Sequence, residues 1–332
     1  MKIIVVGFGF MGMTHTINIL KNPLLELVGI VDKYPEKIMQ KLSEETGNFS
    51  TGSIDVDIMK NIRIYTSLEE CLATEHPDAC VIAVHTDLHY KLARTALEAG
   101  VAVFLEKPFT LDPEEGKDLI RLADQQGLVL MIGHVVRFMP AYQTLREWIG
   151  DKRFGELKFL SLSRFSGVPA WGEWKDKRKS FGSSGGAFFD LLIHDIDYAQ
   201  WVLGLPDKIV ASAIPGQLSL YDYVNAGWVY ESGLQVKIEG GNIFHTQFPF
   251  RAEFVARFEQ ATVSLLVNDS GNIRISRDEE TALFPSGDAN LGFSGELDYF
   301  VTCVSEGRRP DICTPESALQ TIELCYRHIN QD

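Results

Sequence analysis

The chain contains 332 residues, 45% of them hydrophobic, with 31 Lys and Arg against 45 Asp and Glu and a formal net charge of −14. A chain of this length is too long for one modest hydrophobic core, so we expect two domains. The acidic balance, with no block of Lys and Arg and no apolar stretch of membrane-spanning length, argues against nucleic acid and membranes as partners.

The first predicted elements are a strand, a glycine-rich turn and a helix, an order that is typical of dinucleotide-binding folds. The strand occupies residues 1–6 and the helix residues 13–20. The turn, which we predict to contact the cofactor, consists of Gly7, Phe8, Gly9, Phe10, Met11 and Gly12. Gly7 permits the tight turn, Gly9 lets a pyrophosphate approach the backbone, and Gly12 lets the helix pack closely on the strand. The phosphates are expected at the helix N-terminus, where unpaired N–H groups and the helix dipole favour negative charge.

A second strand-like run, residues 27–31, ends in Asp32. The acid follows the last glycine at the spacing of about 20 residues that a dinucleotide fold uses. A carboxylate at this point accepts hydrogen bonds from the adenosine ribose and repels a 2′-phosphate. Lys33 is a neighbouring cation that could receive such a phosphate. We therefore predict NAD as the cofactor and leave NADP open, with Asp32 and Lys33 both in the binding site.

Predicted strands and helices continue to alternate up to residue 132. Helices are predicted over residues 35–46, from 67, over 89–99 and over 112–126, and strands over 61–65, 78–84, 101–105 and 128–132, with a long loop at 47–57. Repeated βα units predict a parallel, doubly wound sheet with right-handed crossovers. Ligands bind such sheets beyond the carboxyl ends of the strands, so the residues after each strand are candidate site residues.

His85 and His89 bracket the turn after the strand of residues 78–84. Two histidines so close are a candidate metal pair, but the sequence offers no third ligand nearby. We interpret them as polar lining of the cofactor crevice or as a helix cap. The five cysteines form no C-x-x-C pair, so no structural zinc site is expected either.

The pattern changes from about His134. A helix is predicted over residues 141–149, an alternating strand over 157–166 and a long loop over 167–184. The loop contains Trp171 and Trp174 together with four cations. Loops of this length often bind ligands or act as lids. The tryptophans and cations could clamp a sugar, or the tryptophans could pin the loop to its own domain, and both interpretations stay open.

A helix is predicted over residues 187–203, apolar on most sides and so expected to be buried. It carries Asp190 and His194, which are four residues apart and share one face. A carboxylate beside an imidazole fixes its tautomer and raises its basicity, which suits a general base near neutral pH. The alternative is a structural pair in which the two side chains satisfy each other.

The remaining chain predicts a second sheet and two closing helices. Strand-like runs occupy residues 209–214, 227–230, 233–239, 252–258 and 261–267, and the helices residues 294–305 and 315–329. The last two strands are close enough to form a hairpin. Because no crossover helix separates these runs, we expect a mostly antiparallel sheet.

The order of the motifs resembles the Gfo/Idh/MocA oxidoreductases, which are named for glucose–fructose oxidoreductase, inositol dehydrogenase and a rhizopine-catabolism protein. The glycine-rich opening is followed by Glu106-Lys107-Pro108 after the fifth strand and by Asp190-x-x-x-His194 in the second half. Further matches are Thr86-x-x-His89, Arg137-Phe138-x-Pro140, Gly155-Glu156, Gly185-Gly186 and Thr314-Pro315-Glu316. The resemblance covers nearly the whole chain and is specific for the family but not for a substrate.

This resemblance implies an α/β fold with two domains. The first, residues 1–133, is a doubly wound Rossmann domain that binds the dinucleotide. The second, residues 134–332, is an α+β domain with a large, mostly antiparallel, open-faced sheet for substrate binding and oligomerisation. The open face implies a homodimer or homotetramer, and the last helix, at about 315–329, is expected to pack back on the first domain.

The resemblance also implies an NAD(P)-dependent oxidoreductase that acts on a sugar, cyclitol or related polyol. A secondary hydroxyl is expected between Lys107 and His194. His194 takes the hydroxyl proton while Asp190 orients its ring, and Lys107 stabilises the partial alkoxide. Further predicted site residues are Thr86, His89 and Glu106 at the cofactor and Arg164 and Trp174 at the substrate, with Asp197 as structural support.

Two other functions stay open at this stage. One is a glycoside-cleaving enzyme of the same family that oxidises its sugar transiently and returns the hydride. The other is a non-catalytic NAD(P)-sensing protein, which the complete set of catalytic residues disfavours. An odd number of cysteines without a secretory signal is typical of reduced thiols, so we expect a cytoplasmic protein with no metal and no membrane anchor.

Overall fold

The computed structural model describes residues 1–42, 56–168, 186, 188–216, 221–266 and 271–329. The chain divides into two compact units. Unit 1 comprises Met1–His134 and Phe293–Leu319, and unit 2 comprises Val135–Gly292 and Gln320–Asp332. Two continuous segments are predicted from the sequence, but both units are discontinuous, because residues 293–319 pack within unit 1.

The strands and helices are numbered in chain order. The strands are β1 (Lys2–Val6), β2 (Glu26–Val31), β3 (Arg63–Tyr65), β4 (Ala79–Ile82), β5 (Ala102–Glu106), β6 (Leu130–Gly133), β7 (Leu157–Gly167), β8 (Lys208–Pro215), β9 (Tyr221–Val229), β10 (Gln235–Phe244), β11 (Arg251–Phe258), β12 (Thr262–Leu266), β13 (Asn272–Ser276) and β14 (Thr281–Pro285). The helices are α1 (Phe10–Lys21), α2 (Ile38–Lys41), α3 (Val56–Met59), α4 (Leu68–Glu75), α5 (His89–Glu98), α6 (Pro113–Gln126), α7 (Pro140–Gly150), α8 (Ile193–Leu203), α9 (Leu291–Glu306) and α10 (Pro315–Ile329).

Unit 1 is built on a sheet of six parallel strands in the order β3-β2-β1-β4-β5-β6. The predicted doubly wound sheet is therefore confirmed. Every residue of β4, β5 and β6 is buried, as expected for parallel strands covered on both faces. The strand order reverses between β1 and β4, and the carboxyl ends of strands at such a switch point are where ligands bind.

Local signals place the helix ends of unit 1. The side chain of Ser67 accepts a hydrogen bond from the Glu70 N–H at the start of α4. Asp112 caps α6 in the same way through the Glu114 N–H, and Gly127 ends that helix at φ 65°. The helix predicted over residues 35–46 is wrong for its first part, where a 3-10 turn at Pro35–Lys37 leads into the single turn α2. The rest of that prediction, and most of the predicted loop 47–57, lie outside the described residues.

Unit 2 contains a sheet of eight strands in the order β14-β13-β12-β11-β7-β10-β9-β8. All neighbours are antiparallel except β7 and β10, so the predicted, mostly antiparallel sheet is confirmed. The β7–β10 pair is parallel because the chain passes through α8 and the hairpin β8–β9 between them. Two strands, β13 and β14, were not predicted, and β9 begins six residues before the predicted run at Gly227.

The helix that carries Asp190 and His194 begins with a π-helical turn, Phe188–Leu192, and continues as α8. The turn packs against β9 and β10. Gly240 allows this approach, because a Cβ there would lie 2.9 Å from Leu192 Cδ1 and 2.3 Å from the Arg164 carbonyl oxygen. Single π turns inside α-helices often occur at functional sites.

His328, near the end of α10, is locked in a neutral form beneath the second sheet. Its Nε2 accepts a 2.8 Å hydrogen bond from Trp228 Nε1 of β9, and its Nδ1 lies 2.6 Å from the Leu324 carbonyl oxygen. Burial lowers the pKa of His328 to about 4, from an ordinary value of 6.5.

Across the described part of the chain, none of the helices has the length and apolar character needed to cross a bilayer.

We predict that His328 makes stability fall in acid. The ring is neutral in the folded state, so its contribution is complete above the unfolded pKa of 6.5 and is lost as the pH falls towards 4. The two pKa values correspond to a loss of about 3 kcal/mol in the free energy of unfolding. Urea unfolding at several pH values should show this slope in the wild type and a clearly smaller one in His328→Phe. Equal slopes in the two proteins would contradict the assignment.

Candidate functional site

The glycine-rich turn of unit 1 is shaped by two close contacts and one open position. The Gly7 N–H donates to the Val31 carbonyl oxygen at 2.7 Å, and at φ 90° a Cβ on Gly7 would lie 2.4 Å from the Ala83 carbonyl oxygen. A Cβ on Gly12 would lie 1.9 Å from the Gly7 carbonyl oxygen. Packing therefore excludes side chains at both positions.

Gly9 differs from these two glycines. It is the N-cap of α1 in an extended conformation and is exposed. Apart from Gly9 itself and its two chain neighbours, no described residue has an atom within 4 Å of its Cβ position. Nothing inside the protein requires a glycine here, but close approach by a ligand would. The open position lies at the N-terminus of a helix of 12 residues, where backbone N–H groups favour a pyrophosphate. The turn therefore fits a dinucleotide on the evidence of its own geometry.

Asp32 ties this turn to the end of β2. Its Oδ2 accepts a hydrogen bond from the Phe8 N–H at 2.8 Å, and its Oδ1 accepts one from the Tyr34 N–H at 2.8 Å. The carboxylate is largely buried next to the turn, where the prediction of a ribose contact requires it. Lys33 is exposed, and its Nζ lies 5.4 Å from the centre of the Tyr34 ring.

The three other residues of the turn differ in exposure. Phe8 is fully buried in the core, so its backbone and not its ring is available at the turn. Phe10 and Met11 are half-buried in the first turn of α1.

We predict opposite effects of alanine at Gly9 and at Gly12. Gly9→Ala introduces a methyl group into open space, so its melting temperature should match the wild type while its affinity for NADH falls about tenfold or more. Gly12→Ala drives a methyl group into the Gly7 carbonyl and should lower stability by about 2 kcal/mol or more. Thermal unfolding and a fluorescence titration with NADH measure both effects. A Gly9→Ala protein that binds NADH as the wild type does would contradict the assigned role.

The carboxyl end of β5 places Glu106 and Lys107 side by side. Lys107 is half-buried, and its backbone N–H donates to Glu106 Oε2 at 3.2 Å. The other oxygen of Glu106 lies 2.6 Å from His15 Nε2 of α1. Glu106 is thus committed within unit 1 to holding α1 and the backbone of Lys107. Thr86 is buried at the end of β4.

His89 is fully buried and braces the loop that follows Lys107. Its Nδ1 lies 2.8 Å from the Pro108 carbonyl oxygen, and its Nε2 lies 3.2 Å from the Val84 carbonyl oxygen. Burial lowers the pKa of His89, which favours the neutral ring with its proton on the more closely paired Nδ1. Both ring nitrogens therefore face backbone, and this geometry favours a brace between the ends of β4 and β5 over direct contact with a cofactor.

In unit 2, Asp190 lies in the π turn and His194 in the first turn of α8, and both are half-buried. Two buried ion pairs hold this helix. In the first pair, Arg137 donates two hydrogen bonds to Asp197, from Nε to Oδ2 at 2.8 Å and from Nη2 to Oδ1 at 2.6 Å. Asp197 Oδ1 also accepts a hydrogen bond from the Thr321 hydroxyl at 3.0 Å. Asp197 therefore has the supporting position that the sequence analysis gave it.

Asp195 forms the second pair. Its Oδ2 accepts a hydrogen bond from Arg164 Nε of β7 at 2.8 Å, and its Oδ1 accepts one from Nη2 at 3.1 Å. The Arg164 side chain is 5% exposed. The proposed substrate contact of Arg164 is therefore not supported, because the guanidinium is committed to Asp195. Trp174, the other proposed contact, lies with most of the 167–184 loop outside the described residues.

The Arg164–Asp195 pair predicts a non-additive mutational series. Arg164→Met leaves the buried Asp195 carboxylate without its partner and should cost about 3–5 kcal/mol of unfolding free energy. The double variant Arg164→Met/Asp195→Leu removes both charges and should be clearly more stable than the single variant. Urea unfolding of the three proteins measures this, and a double variant that loses at least as much stability as Arg164→Met would contradict the burial argument.

Two family models match the chain. Residues 1–134 match a model described as an oxidoreductase family with an NAD-binding Rossmann fold, and residues 142–262 match the GFO/IDH/MocA C-terminal domain. The two models belong to one family and together cover most of the sequence.

Individual relatives match over part or most of their length. The chain is 35% identical over 153 residues to an uncharacterized oxidoreductase of Synechocystis sp., over 45% of this chain and 40% of the relative. It is 30% identical over 240 residues to a UDP-N-acetylglucosamine 3-dehydrogenase of Acidithiobacillus ferrooxidans, over 72% of this chain and 66% of the relative. These two sequence alignments thus span less than two thirds of the length of each relative. A scyllo-inositol 2-dehydrogenase (NAD(+)) of Bacillus subtilis is 24% identical over 96% of this chain and 90% of its own.

Solved structures share the fold across the chain. The UDP-N-acetylglucosamine 3-dehydrogenase of A. ferrooxidans matches with a TM-score of 0.79 and 23% identity over 98% of this chain and 96% of that one. A putative myo-inositol dehydrogenase of Sinorhizobium meliloti matches with a TM-score of 0.78 and 22% identity over 99% and 96%. At these identities the similarity shows the fold.

Proposed function

The chain belongs to the GFO/IDH/MocA oxidoreductase family, and we propose that it transfers a hydride between NAD(P) and a secondary hydroxyl or carbonyl group of a sugar, cyclitol or related polyol. The proposed cofactor binding rests on the open position at Gly9. The glycines on either side, Gly7 and Gly12, are packed so closely that neither could carry a side chain. The substrate class rests on the relatives, which include enzymes named for an inositol, a UDP-amino sugar and a D-glucoside.

We assign the phosphates of the cofactor to the turn at Gly9 and the adenosine ribose to Asp32. The N–H groups of Phe8 and Tyr34 already hold this negatively charged side chain in position close to the turn. That charge disfavours a 2′-phosphate, which makes NAD the proposed cofactor. When bound, the nicotinamide supplies the hydride chemistry.

Lys107 is the proposed electrophilic group. Its ammonium stabilises the negative charge that develops on the substrate oxygen as the proton leaves. The backbone of this lysine is fixed by Glu106, and the following loop is fixed by His89. Both contacts limit the backbone freedom at the point from which the Lys107 side chain extends, which is the preorganisation that charge stabilisation requires.

His194 is the proposed general base. It accepts the hydroxyl proton during oxidation and returns it during reduction, and an imidazole is suited to both near neutral pH. Asp190, four residues earlier, is proposed to orient the ring and to stabilise its protonated form. The pairs Asp195–Arg164 and Asp197–Arg137 hold α8 in place and so support the proposed base.

We predict that Lys107→Met and His194→Asn each lower kcat by about a hundredfold or more while leaving the Kd for NADH within about twofold, since each removes a group that acts on the reacting oxygen. Lys117→Met, at an exposed lysine of α6, is the matched control and should keep full activity. The assay follows NAD(P)H absorbance against a panel of inositols, aldoses, uronic acids and amino sugars.

Two results, one from a cofactor titration and one from this assay, would each contradict a part of the proposal. If neither NADH nor NADPH binds the wild-type protein, the assignment of the turn at Gly9 is wrong. If the wild type turns over a polyol and both variants retain its rate, the dehydrogenase assignment stands but the two residues are wrongly assigned.

A further inference from the structure

Three ionisable side chains lie together in the interior of unit 1, in a cluster that the proposed reaction does not use directly. They are His15 of α1, Glu106 of β5 and Glu296 of α9, with exposed fractions of 0%, 5% and 0%. One ring nitrogen of His15 and one carboxyl oxygen from each glutamate all lie within 4.8 Å of one another. His15 Nε2 and Glu106 Oε1 are in direct contact at 2.6 Å. We call these three residues the His15 cluster.

The polar groups of the His15 cluster are not all satisfied. Within the described part of the chain, three of these polar atoms have no hydrogen-bond partner: both carboxyl oxygens of Glu296 and the Nδ1 of His15. The surroundings are apolar, since the ring of His15 packs edge-on against Phe104 at 5.0 Å, and Phe104 packs against Phe300 of α9 at 5.7 Å. An ionised carboxylate in such a place is strongly destabilised unless it is paired.

The charge closest to Glu296 adds to the effect of burial, since both disfavour the ionised form of its carboxyl group. The ionisable groups that face it are His15 from α1 and Glu106 from β5, with the Lys107 backbone N–H on the far side of Glu106. On its own helix, Asp298 bonds to Asn22 and Tyr299 to Asp311, both away from the cluster. Burial and the negative charge of Glu106 raise the pKa of Glu296 well above its ordinary value.

A bound divalent cation is the alternative explanation for two carboxylates and an imidazole. Ligand atoms in a tetrahedral zinc shell lie about 3.3 Å apart, since each lies about 2.0–2.1 Å from the metal. The 2.6 Å contact of His15 Nε2 with Glu106 Oε1 is shorter than that and has the length of a charge-assisted hydrogen bond. The geometry favours protons over a metal ion in this cluster.

We propose that Glu296 is a positioning residue that stays a neutral carboxylic acid, so that the His15 cluster carries a single carboxylate charge, on the residue that holds the backbone of Lys107. Two carboxyl groups that lie this close together in an apolar interior, with one imidazole between them and solvent excluded, do not both stay ionised. The one negative charge then belongs to Glu106, which accepts from His15 on one oxygen and from the Lys107 N–H on the other. The functional part of this inference rests on the proposed role of Lys107.

The first test measures stability and does not depend on any activity. Because Glu296 stays protonated in the folded state, its contribution to stability is complete below the ordinary pKa of a Glu and is lost as the pH rises towards the raised one. Glu296→Gln is neutral at every pH. Relative to the wild type, this variant should therefore gain stability between pH 5 and pH 8 in urea unfolding. An infrared band of a protonated carboxyl group should be present in the wild type and absent from Glu296→Gln.

The second test uses turnover. Glu296→Gln keeps a neutral polar side chain of the same size beside Glu106 and should lower kcat less than Glu296→Leu, which leaves Glu106 and His15 facing an apolar group, with a difference of about tenfold. The Kd for NADH should change little in either, because the turn at Gly9 is left intact. If the wild type has no dehydrogenase activity at all, the proposed function fails while the stability and infrared results still decide the protonation of Glu296.

Two outcomes would overturn the inference. The first is an unfolding free energy for Glu296→Gln that runs parallel to the wild type between pH 5 and pH 8, together with no carboxyl band assigned to Glu296. The second is one equivalent of zinc or manganese that stays with the wild-type protein through dialysis and is lost from both Glu296→Gln and Glu106→Gln, which would make the cluster a metal site.

Discussion

The close approach of Gly12 to the Gly7 carbonyl is the constraint on which unit 1 depends. A Cβ at residue 12 would lie 1.9 Å from that oxygen, so α1 can rest on the end of β1 only because the side chain is missing. This contact fixes the N-terminus of α1 at the point where the strand order reverses. The open position at Gly9 and the anchored carboxylate of Asp32 follow from it, and so does the inward position of His15, one turn further along the same helix.

In unit 2, two buried ion pairs hold α8 in place. Asp195 and Asp197 lie two residues apart on this helix, so they point to different sides, and each is bound by two donors of a buried arginine. Such pairs contribute little net stability compared with apolar packing, but they fix the direction of a helix, because either charge left alone would be costly. The rotation of α8, and with it the direction in which His194 leaves the helix, is thereby determined within the unit.

Much of this arrangement could be predicted from the sequence, because it is determined by short sequence patterns. The glycine spacing, Asp32 at the end of β2, the cap at Asp112 and the stop at Gly127 each act through a few neighbouring residues. The predictions failed where the partner is distant. Nothing local shows that Arg164 is bound to Asp195, and β9 was predicted too short because Asp222 and Asn225 are poor strand formers that alternation in the sheet tolerates. Glu296 was not predicted, because nothing local distinguishes it from Asp298 two residues later on the same helix, and its burial depends on α1 and β5.

The central claim is that a hydride passes between a polyol carbon and a nicotinamide held at the turn of Gly9. The most direct measurement is isotopic. A polyol that the protein oxidises would be supplied with deuterium on its carbinol carbon, and the reduced cofactor would be analysed by mass spectrometry. The account predicts one deuterium atom in the NADH. NADH that forms without deuterium, or a panel of polyols from which no NADH forms although the cofactor binds, would contradict it.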